Sequence, residues 1–510
     1  MHFKTDTVLS TAVWEITVAC NMRCKHCGSS CKNALDDELT TEEALSLCND
    51  LSEAGLKLVT LSGGEPLLRS DWPLIAKAFS DQNVMVTMIS NGWLINEEII
   101  EKAKNSGLLS IAISLDGIQE THDTIRMSGS FERSIKALHL MKEKDLSSSV
   151  ITTVMKSNLF ELPFLYDQLK KANVKFWQFQ IGCPMGNLSE HSNELLESSD
   201  MSSLMDFIWN VYEDGIIFPV LSDCIGYYTK RSTQLRRSYF KGDISWNGCP
   251  AGRYNVGIFC NGDIGGCTSI RDKKYIEGNI RNDSFSNIWN NENAFQWNRN
   301  PSINDLSGFC KNCSYVSKCF GGCFNIRKTF NKTDYPFCLY KSNTLKLIEK
   351  VKYTPVEKLE DLCIYACENG LYDVSLECAD RLLENNKNNI KSLEIKAFIF
   401  YVRKEYDISL EYNDRILKIE SENFYALKGK ALCFAAHKEY DLAKEYLEKS
   451  IVYSPKDYTD VYYDLALVFY ENKEYLKCID TIKKVRNYST EFKNKSDHLY
   501  KKASLKIKSN

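Results

Sequence analysis

Cys20, Cys24 and Cys27 stand on one short stretch, EITVACNMRCKHCGSSC (residues 15–31), directly after a β-like run. Thiolates bind soft metals, and C-x3-C-x2-C on a tight loop gathers three of them. Structural zinc usually takes four ligands from two paired C-x2-C knuckles, which this stretch lacks. Three ligands leave one position unfilled, which in an iron–sulfur cube is one iron open to a substrate or cofactor. Cys31 is the alternative, a fourth thiolate that would close the site.

Further along, Cys249, Cys267, Cys310, Cys313, Cys319, Cys323 and Cys338 form a second string. It reads C-x12-G-x4-C, then C-x2-C-x5-C-x3-C, then a last cysteine, with Gly262 as the glycine. Set among Gly, Asn and Asp, it describes a loop-rich, metal-held module; structural zinc is the plain alternative. The opening MHFKTDTVLSTAVWEI lacks a basic region followed by an apolar stretch, so no signal peptide is expected. A cytoplasmic chain keeps its thiols reduced, so 20 cysteines point to metal binding rather than a disulfide framework. Cys48, Cys363, Cys367, Cys378, Cys433 and Cys478 fall in helix-like segments and are expected to be small buried hydrophobes.

The elements that must position these thiols alternate along residues 1–190. The β-like runs are WEITVA, LVTLSGG, VMVTMIS, SIAISLD, SVITTVM and FWQFQIG, with helical patterns between them. One is TTEEALSLCNDLSEAG, with Thr40 or Thr41 as N-cap and Gly55 as C-cap. Six strand–helix units in series predict a parallel α/β sheet, open or curved into a partial (β/α)6 barrel. Such folds place function at the C-terminal ends of strands. LSGGEP (61–66), ISNG (89–92) and ISLDG (113–117) fall at those ends. In the sixth run Trp177 and Gln178 take opposite faces, and Gln180 is a candidate for the barrel mouth.

Residues 191–245 read as a connector and 246–350 as the cysteine module. From 355 to 510 the chain is helical and repeats. Tyr372, Tyr406, Tyr440 and Tyr475 recur at intervals of 34, 34 and 35 residues, each followed three positions on by Ser375, Ser409, Ala443 or Cys478. Ala397, Ala431 and Ala466 precede three of these tyrosines by nine positions, with Cys363 in the first repeat. Small residues at fixed phase let paired helices approach closely, and the period resembles tetratricopeptide repeats.

Taken together, the three-cysteine loop, LSGGEP one β-α unit later, and the strand ends resemble the radical S-adenosylmethionine superfamily. The resemblance implies a [4Fe–4S] cluster on Cys20, Cys24 and Cys27 whose open iron chelates S-adenosylmethionine. One electron then cleaves the sulfonium, and the 5′-deoxyadenosyl radical abstracts hydrogen from an unactivated C–H bond. It also implies that Gly63, Gly64 and Glu65 hold the methionine ammonium. Ser90, Asn91, Ser114 and Asp116 would supply ribose and carboxylate contacts. HDTIR (122–126) is typical of one large branch of the superfamily, and Arg126 either pairs the cofactor's carboxylate or forms a surface salt bridge. Cys31 is then a nearby free thiol.

The second string resembles the SPASM extension of radical enzymes, which holds up to two auxiliary iron–sulfur clusters. By that resemblance Cys249, Cys267 and Cys323 hold the nearer cluster, and Cys310, Cys313, Cys319 and Cys338 the farther. The nearer is one ligand short: GDISWNGCP (242–250) has no cysteine before Cys249. Cys260, Cys224 and Cys183 are candidates, as is an open iron for a substrate thiolate. Sulfatase maturases carry an Asp base directly after the G-x4-C cysteine; here Thr268 stands there, and its hydroxyl is a poor base.

Barrel and module together resemble maturases that form thioether or carbon–carbon crosslinks in ribosomal peptides. The alternatives are a formylglycine-forming sulfatase maturase and a non-enzymatic metal-containing repeat adaptor. Relatives often grip the leader peptide with an N-terminal winged-helix-like domain; about a dozen residues precede the first strand here, so the repeats are expected to take that role. Tyr401, Tyr406, Tyr412, Tyr440, Tyr446, Tyr462, Tyr463 and Tyr470 would supply contact area, or pack helix on helix. The expected partners are a short precursor peptide and a flavodoxin or ferredoxin. A net charge of −3 gives no broad basic field for nucleic acid or an anionic membrane, and no run of 18 apolar residues offers a span.

Overall fold

The computed structural model describes residues 7–222, 224, 225, 227, 231–236, 248–485 and 490–508. The stretch 242–247 ahead of Cys249, spanning the end of the expected connector and the start of the module, lies outside them. The chain divides into two units, Met1–Ser342 and Asn343–Asn510. Among the described residues no helix is long and apolar enough to cross a membrane.

The first unit is built on strands β1 (Thr11–Thr17), β2 (Leu58–Gly63), β3 (Met85–Ser90), β4 (Leu108–Ser114), β5 (Ser147–Val154), β6 (Phe176–Ile181) and β7 (Phe218–Leu221). The six runs read from the sequence are the first six of these. Helices α1 (Thr41–Glu53), α2 (Trp72–Ser80), α3 (Glu97–Asn105), α4 (Gln119–Ile125), α5 (Ser130–Glu143), α6 (Leu162–Lys171) and α7 (Asp200–Asp214) fill the crossovers. β1 to β7 pair in chain order and in parallel, as βαβ crossovers require. The fold is a parallel partial barrel.

Two features go beyond the expected six strands. β7 falls inside the span read as connector, and as the edge strand it tolerates Pro219, which cannot donate to a ladder. On the opposite side β8 (Asn255–Ile258), from the cysteine module, pairs in parallel with β1, Thr11 facing Asn255. β9 (Asp263–Gly265) and β10 (Ile276–Asn279) continue antiparallel, so barrel and module share one sheet.

Alternation explains the burial. In β6, Trp177, Phe179 and Ile181 are buried while Phe176, Gln178 and Gln180 are half-buried. Trp14 and Trp177 are fully enclosed, and each large apolar side chain so buried contributes roughly 1.5–3 kcal/mol. α1 buries Ala44, Leu47, Cys48 and Leu51, one helical stripe, and starts at a capping box between Thr40 and Glu43.

The second unit is a solenoid of helix pairs. Val356–Glu368 pairs with Tyr372–Asn385, Ile390–Val402 with Tyr406–Ile419, Phe424–Ala436 with Tyr440–Tyr453, and Asp460–Glu471 with Tyr475–Val485. Each recurring tyrosine opens a second helix, and the small residues are buried where the pair touches. Ser375 Oγ donates to the Cys363 carbonyl at 2.7 Å, and Ser409 Oγ to that of Ala397 at 2.8 Å. Five of the eight tyrosines named as contact candidates serve packing: Tyr412 and Tyr446 stack on Phe400 and Phe434, Tyr401 contacts Tyr406, and Tyr470 contacts Tyr475.

Candidate functional site

The cysteine loop leaves the end of β1, and the end of β2 clasps it. Gly64 N–H donates to Thr17 O and Glu65 N–H to Ala19 O, both at 2.8 Å. A Cβ on Gly63 would lie 2.0 Å from Thr17 O, and one on Gly64 2.1 Å from Ala19 O. Gly63 also sits at φ +134°, so glycine is required on two grounds. The loop closes by Cys20 N–H to Lys32 O at 3.0 Å. It is pinned from outside by Lys25 N–H to Ile125 O at 2.8 Å and by Asn187, whose side chain donates to Cys24 O at 2.9 Å.

Glu65, expected at the methionine ammonium, is held by donors of the protein itself. It is fully buried, Oε1 accepts from Ser90 Oγ at 2.9 Å and Leu67 N–H at 3.2 Å, and Oε2 accepts from Asn91 N–H at 2.8 Å. The carboxylate fastens the β3 end to the β2 end. Burial pushes its carboxyl up to about 7 against the pull of those three donors. Asn91 is thereby placed to donate to Asn21 Oδ1, in the loop, at 2.7 Å.

Asp116 is also committed within the protein. It too is fully buried; Oδ2 accepts from Arg126 Nε at 2.5 Å and lies 2.9 Å from His26 Nε2, and Oδ1 accepts from Thr153 N–H at 2.9 Å. Burial alone would raise its carboxyl, but Arg126 and His26 hold it well below the usual range. Arg126 is thus an interior ion pair, not a surface one, and its Nη1 lies 3.8 Å from Cys24 Sγ. Ser114 is half-buried at the β4 end and makes no side-chain hydrogen bond within the described residues. Gln180 donates to Thr153 Oγ1 at 2.9 Å, next to Asp116.

His26 and His122 escaped sequence reading, although one lies between two of the cysteines and the other opens HDTIR. His122 Nδ1 accepts the Asp116 N–H at 3.1 Å, so its proton belongs on Nε2. Burial, then the neighbouring Arg126, lowers its pKa from 6.5 to about 4. Burial pushes the Cys24 thiol up to about 11, with Arg126 opposing. Cys31 lies against the loop: its hydrogen bond to the Cys27 sulfur lowers Cys27 and raises itself.

All the cysteines are outside disulfides. Cys310, Cys313, Cys319 and Cys338 line one small cavity with Tyr315 and Tyr335. Backbone N–H groups of Tyr335, Tyr315 and Lys341 point at the sulfurs of Cys310, Cys313 and Cys338, at 3.3, 3.4 and 3.4 Å. Cys249, Cys267 and Cys323 group separately, and Thr268 is half-buried beside Cys267. Among the described residues no three His, Cys, Asp or Glu are gathered tightly enough for a single metal ion. The donor chemistry fits iron–sulfur clusters: thiols on loops, amide N–H groups aimed at sulfur, and a buried guanidinium beside Cys24. A cavity of about 260 Å³ lies where the loop's Gly28, Met185 and Gly186 past β6, and Arg271 and Asn325 of the module come together.

Comparison with known proteins agrees with this arrangement. The radical SAM superfamily profile matches residues 14–167, and SPASM, an iron–sulfur cluster-binding domain, matches 249–314. Two proteins of Methanosarcina barkeri are similar. The AdoMet-dependent heme synthase is 29% identical, covering 64% of this chain and 95% of its own length. The Fe-coproporphyrin III synthase is 30% identical, with coverages of 62% and 83%. Mycofactocin maturase MftC of Mycolicibacterium smegmatis is 27% identical over 61% of this chain and 76% of its own. Streptococcus suis SuiB bound to S-adenosylmethionine shares the fold, with a TM-score of 0.53 at 16% identity, covering 66% of this chain and 77% of SuiB.

Proposed function

The chain belongs to the radical SAM superfamily and carries a SPASM domain, and from that membership we propose that it crosslinks a ribosomally made precursor peptide. It is an enzyme that works with a [4Fe–4S] cluster, S-adenosylmethionine and auxiliary iron–sulfur centres, which displaces the repeat-adaptor alternative. Bound together, cluster and S-adenosylmethionine supply a 5′-deoxyadenosyl radical for hydrogen abstraction.

In this reading Cys20, Cys24 and Cys27 ligate the first cluster. Cys249, Cys267 and Cys323 ligate the nearer auxiliary one, and Cys310, Cys313, Cys319 and Cys338 the farther. Gly63 and Gly64 let the β2 end approach the loop. Glu65 and Asp116 act as positioning residues, the first for Ser90 and Asn91, the second for Arg126. Arg126 sets a fixed positive charge beside Cys24, suited to the cofactor's carboxylate. Ser114 keeps its hydroxyl for a ligand. A flavodoxin or ferredoxin supplies the reducing electron.

One observation carries the peptide reading. The repeat unit holds an open cavity of about 390 Å³ lined by Phe398, Tyr401, Tyr425 and Tyr458 with Lys391 and Lys428. Rigid aromatic faces beside the ion pairs Lys391–Glu394 and Lys428–Asp464 suit an extended peptide. Formylglycine formation is disfavoured by Thr268 in the base position. An iron porphyrin substrate is the second reading, favoured by the 29% and 30% identities to the two Methanosarcina enzymes. Co-expression with candidate precursor peptides and mass spectrometry separates them: loss of two hydrogens from a peptide supports crosslinking. Unchanged peptides together with conversion of an iron porphyrin would overturn it.

A further inference from the structure

The nearer auxiliary site has three assigned thiols, and three cysteines could complete it. Cys260 stands apart: its carbonyl accepts from Leu39 N–H at 2.7 Å, and its buried thiol feels the charges of Glu38, Glu15 and Asp37. Carboxylates oppose a thiolate. Cys183 and Cys224 leave the C-terminal ends of adjacent parallel strands, β6 and β7, which are in register at Phe179 and Leu221. Cys183 turns back on its own strand, with Sγ 3.8 Å from Ile181 O. Cys224 sits in a turn closed by Ile225 N–H to Ser222 O at 3.3 Å, and Ser222 Oγ lies 2.8 Å from its sulfur.

A chain of hydroxyls ties this turn to a cluster residue. Tyr335 OH donates to the Cys224 carbonyl, Tyr227 OH donates to Tyr335 OH at 3.4 Å, and Cys323 N–H donates to Tyr227 OH at 3.1 Å. Each hydroxyl donates once and accepts once, and the two rings pack edge to face with centroids 5.1 Å apart. The backbone of Cys224 is therefore fixed relative to that of Cys323. The thiols of Cys249, Cys224 and Cys267 act electrostatically on that of Cys323, as the other members of a four-thiolate site would; Cys183 feels Cys224 and Cys267, but among the described residues no hydrogen-bond chain ties it to Cys323.

We propose that Cys224 is the fourth ligand of the nearer auxiliary cluster, joining Cys249, Cys267 and Cys323, with Ser222 as hydrogen-bond partner of its sulfur. This rests on the assignment of those three to a cluster. A fully ligated nearer cluster has no iron free for substrate, so it serves electron transfer rather than substrate binding.

The test uses the full chain with Cys20, Cys24 and Cys27 all changed to Ala, so that only auxiliary clusters report. Reconstituted, this parent should hold about eight irons and give no three-iron paramagnetic signal on mild oxidation. Cys224→Ala should lose about one iron on oxidation and show that signal, while Cys183→Ala and Cys260→Ala match the parent. Cys224→Ser, which keeps an oxygen donor, should retain its iron and shift the reduced spectrum, separating ligand loss from misfolding. The proposal is overturned if both Cys224 variants match the parent, if Cys183→Ala gives the signal instead, or if the parent already shows it. Changing Cys249, Cys267 and Cys323 together to Ala should lose about four irons; full retention would remove the cluster assignment itself, and Cys224 with it.

Discussion

Arg126 donates from Nε to Asp116 Oδ2 at 2.5 Å while its Nη1 lies 3.8 Å from Cys24 Sγ. A guanidinium so held is rigid, buried and beside the sulfur of a proposed cluster ligand. Changing Asp116 to Asn leaves that cation buried with a neutral partner, at a cost of about 3–5 kcal/mol. Arg126→Lys keeps the charge and loses the fork, and should weaken S-adenosylmethionine binding by about 10-fold. Thermal unfolding of the first variant and cofactor titration of the second measure these effects.

His122 gives the fold a pH dependence whose sign follows from its neutral form. Its pKa falls from 6.5 to about 4 on folding, so the unfolded chain binds the proton more readily. The stability it contributes is complete above the unfolded value and is lost as pH falls from there through the folded one. The loss from pH 8 to pH 5 is about 2 kcal/mol. Chemical denaturation across that range should show the slope in the native protein and its reduction in His122→Asn.

Cys31 hydrogen-bonds Cys27, and the open-iron assignment leaves it outside the ligand set. Cys31→Ser should keep the full iron content and 5′-deoxyadenosine release within about threefold, since serine can also donate to sulfur. Cys24→Ala should abolish release. Equal loss in both variants would make Cys31 a fourth thiolate and close the site.

Phe398 and Tyr425 are each 48% exposed on the cavity of the repeat unit. Changing both to Ala should raise KM for the peptide by about 10-fold or more. Peptide-independent cleavage of S-adenosylmethionine should be unchanged. Steady-state kinetics with and without peptide measure the split.

The strand ends and thiol loops were legible because they are local, each motif being a few adjacent residues with fixed chemistry. The repeats were legible because small residues recur at one phase. β8 was not, since its pairing with β1 joins residues such as Thr11 and Asn255, 244 positions apart. β7 escaped because four residues with an internal proline carry little strand signal. Glu65 and Asp116 were located at their strand ends, but a carboxylate there meets a ligand or its own neighbours, and the contacts with Ser90, Asn91 and Arg126 lie beyond local pattern.

The most direct test is electron–nuclear double resonance on the reduced, anaerobically reconstituted protein with S-adenosylmethionine carrying 15N in its methionine amino group. The expected result is a nitrogen coupling to one cluster, absent in Cys24→Ala and retained in Cys31→Ser. A fully assembled cluster on that loop with no coupling to the added nitrogen would contradict the open-iron site on Cys20, Cys24 and Cys27.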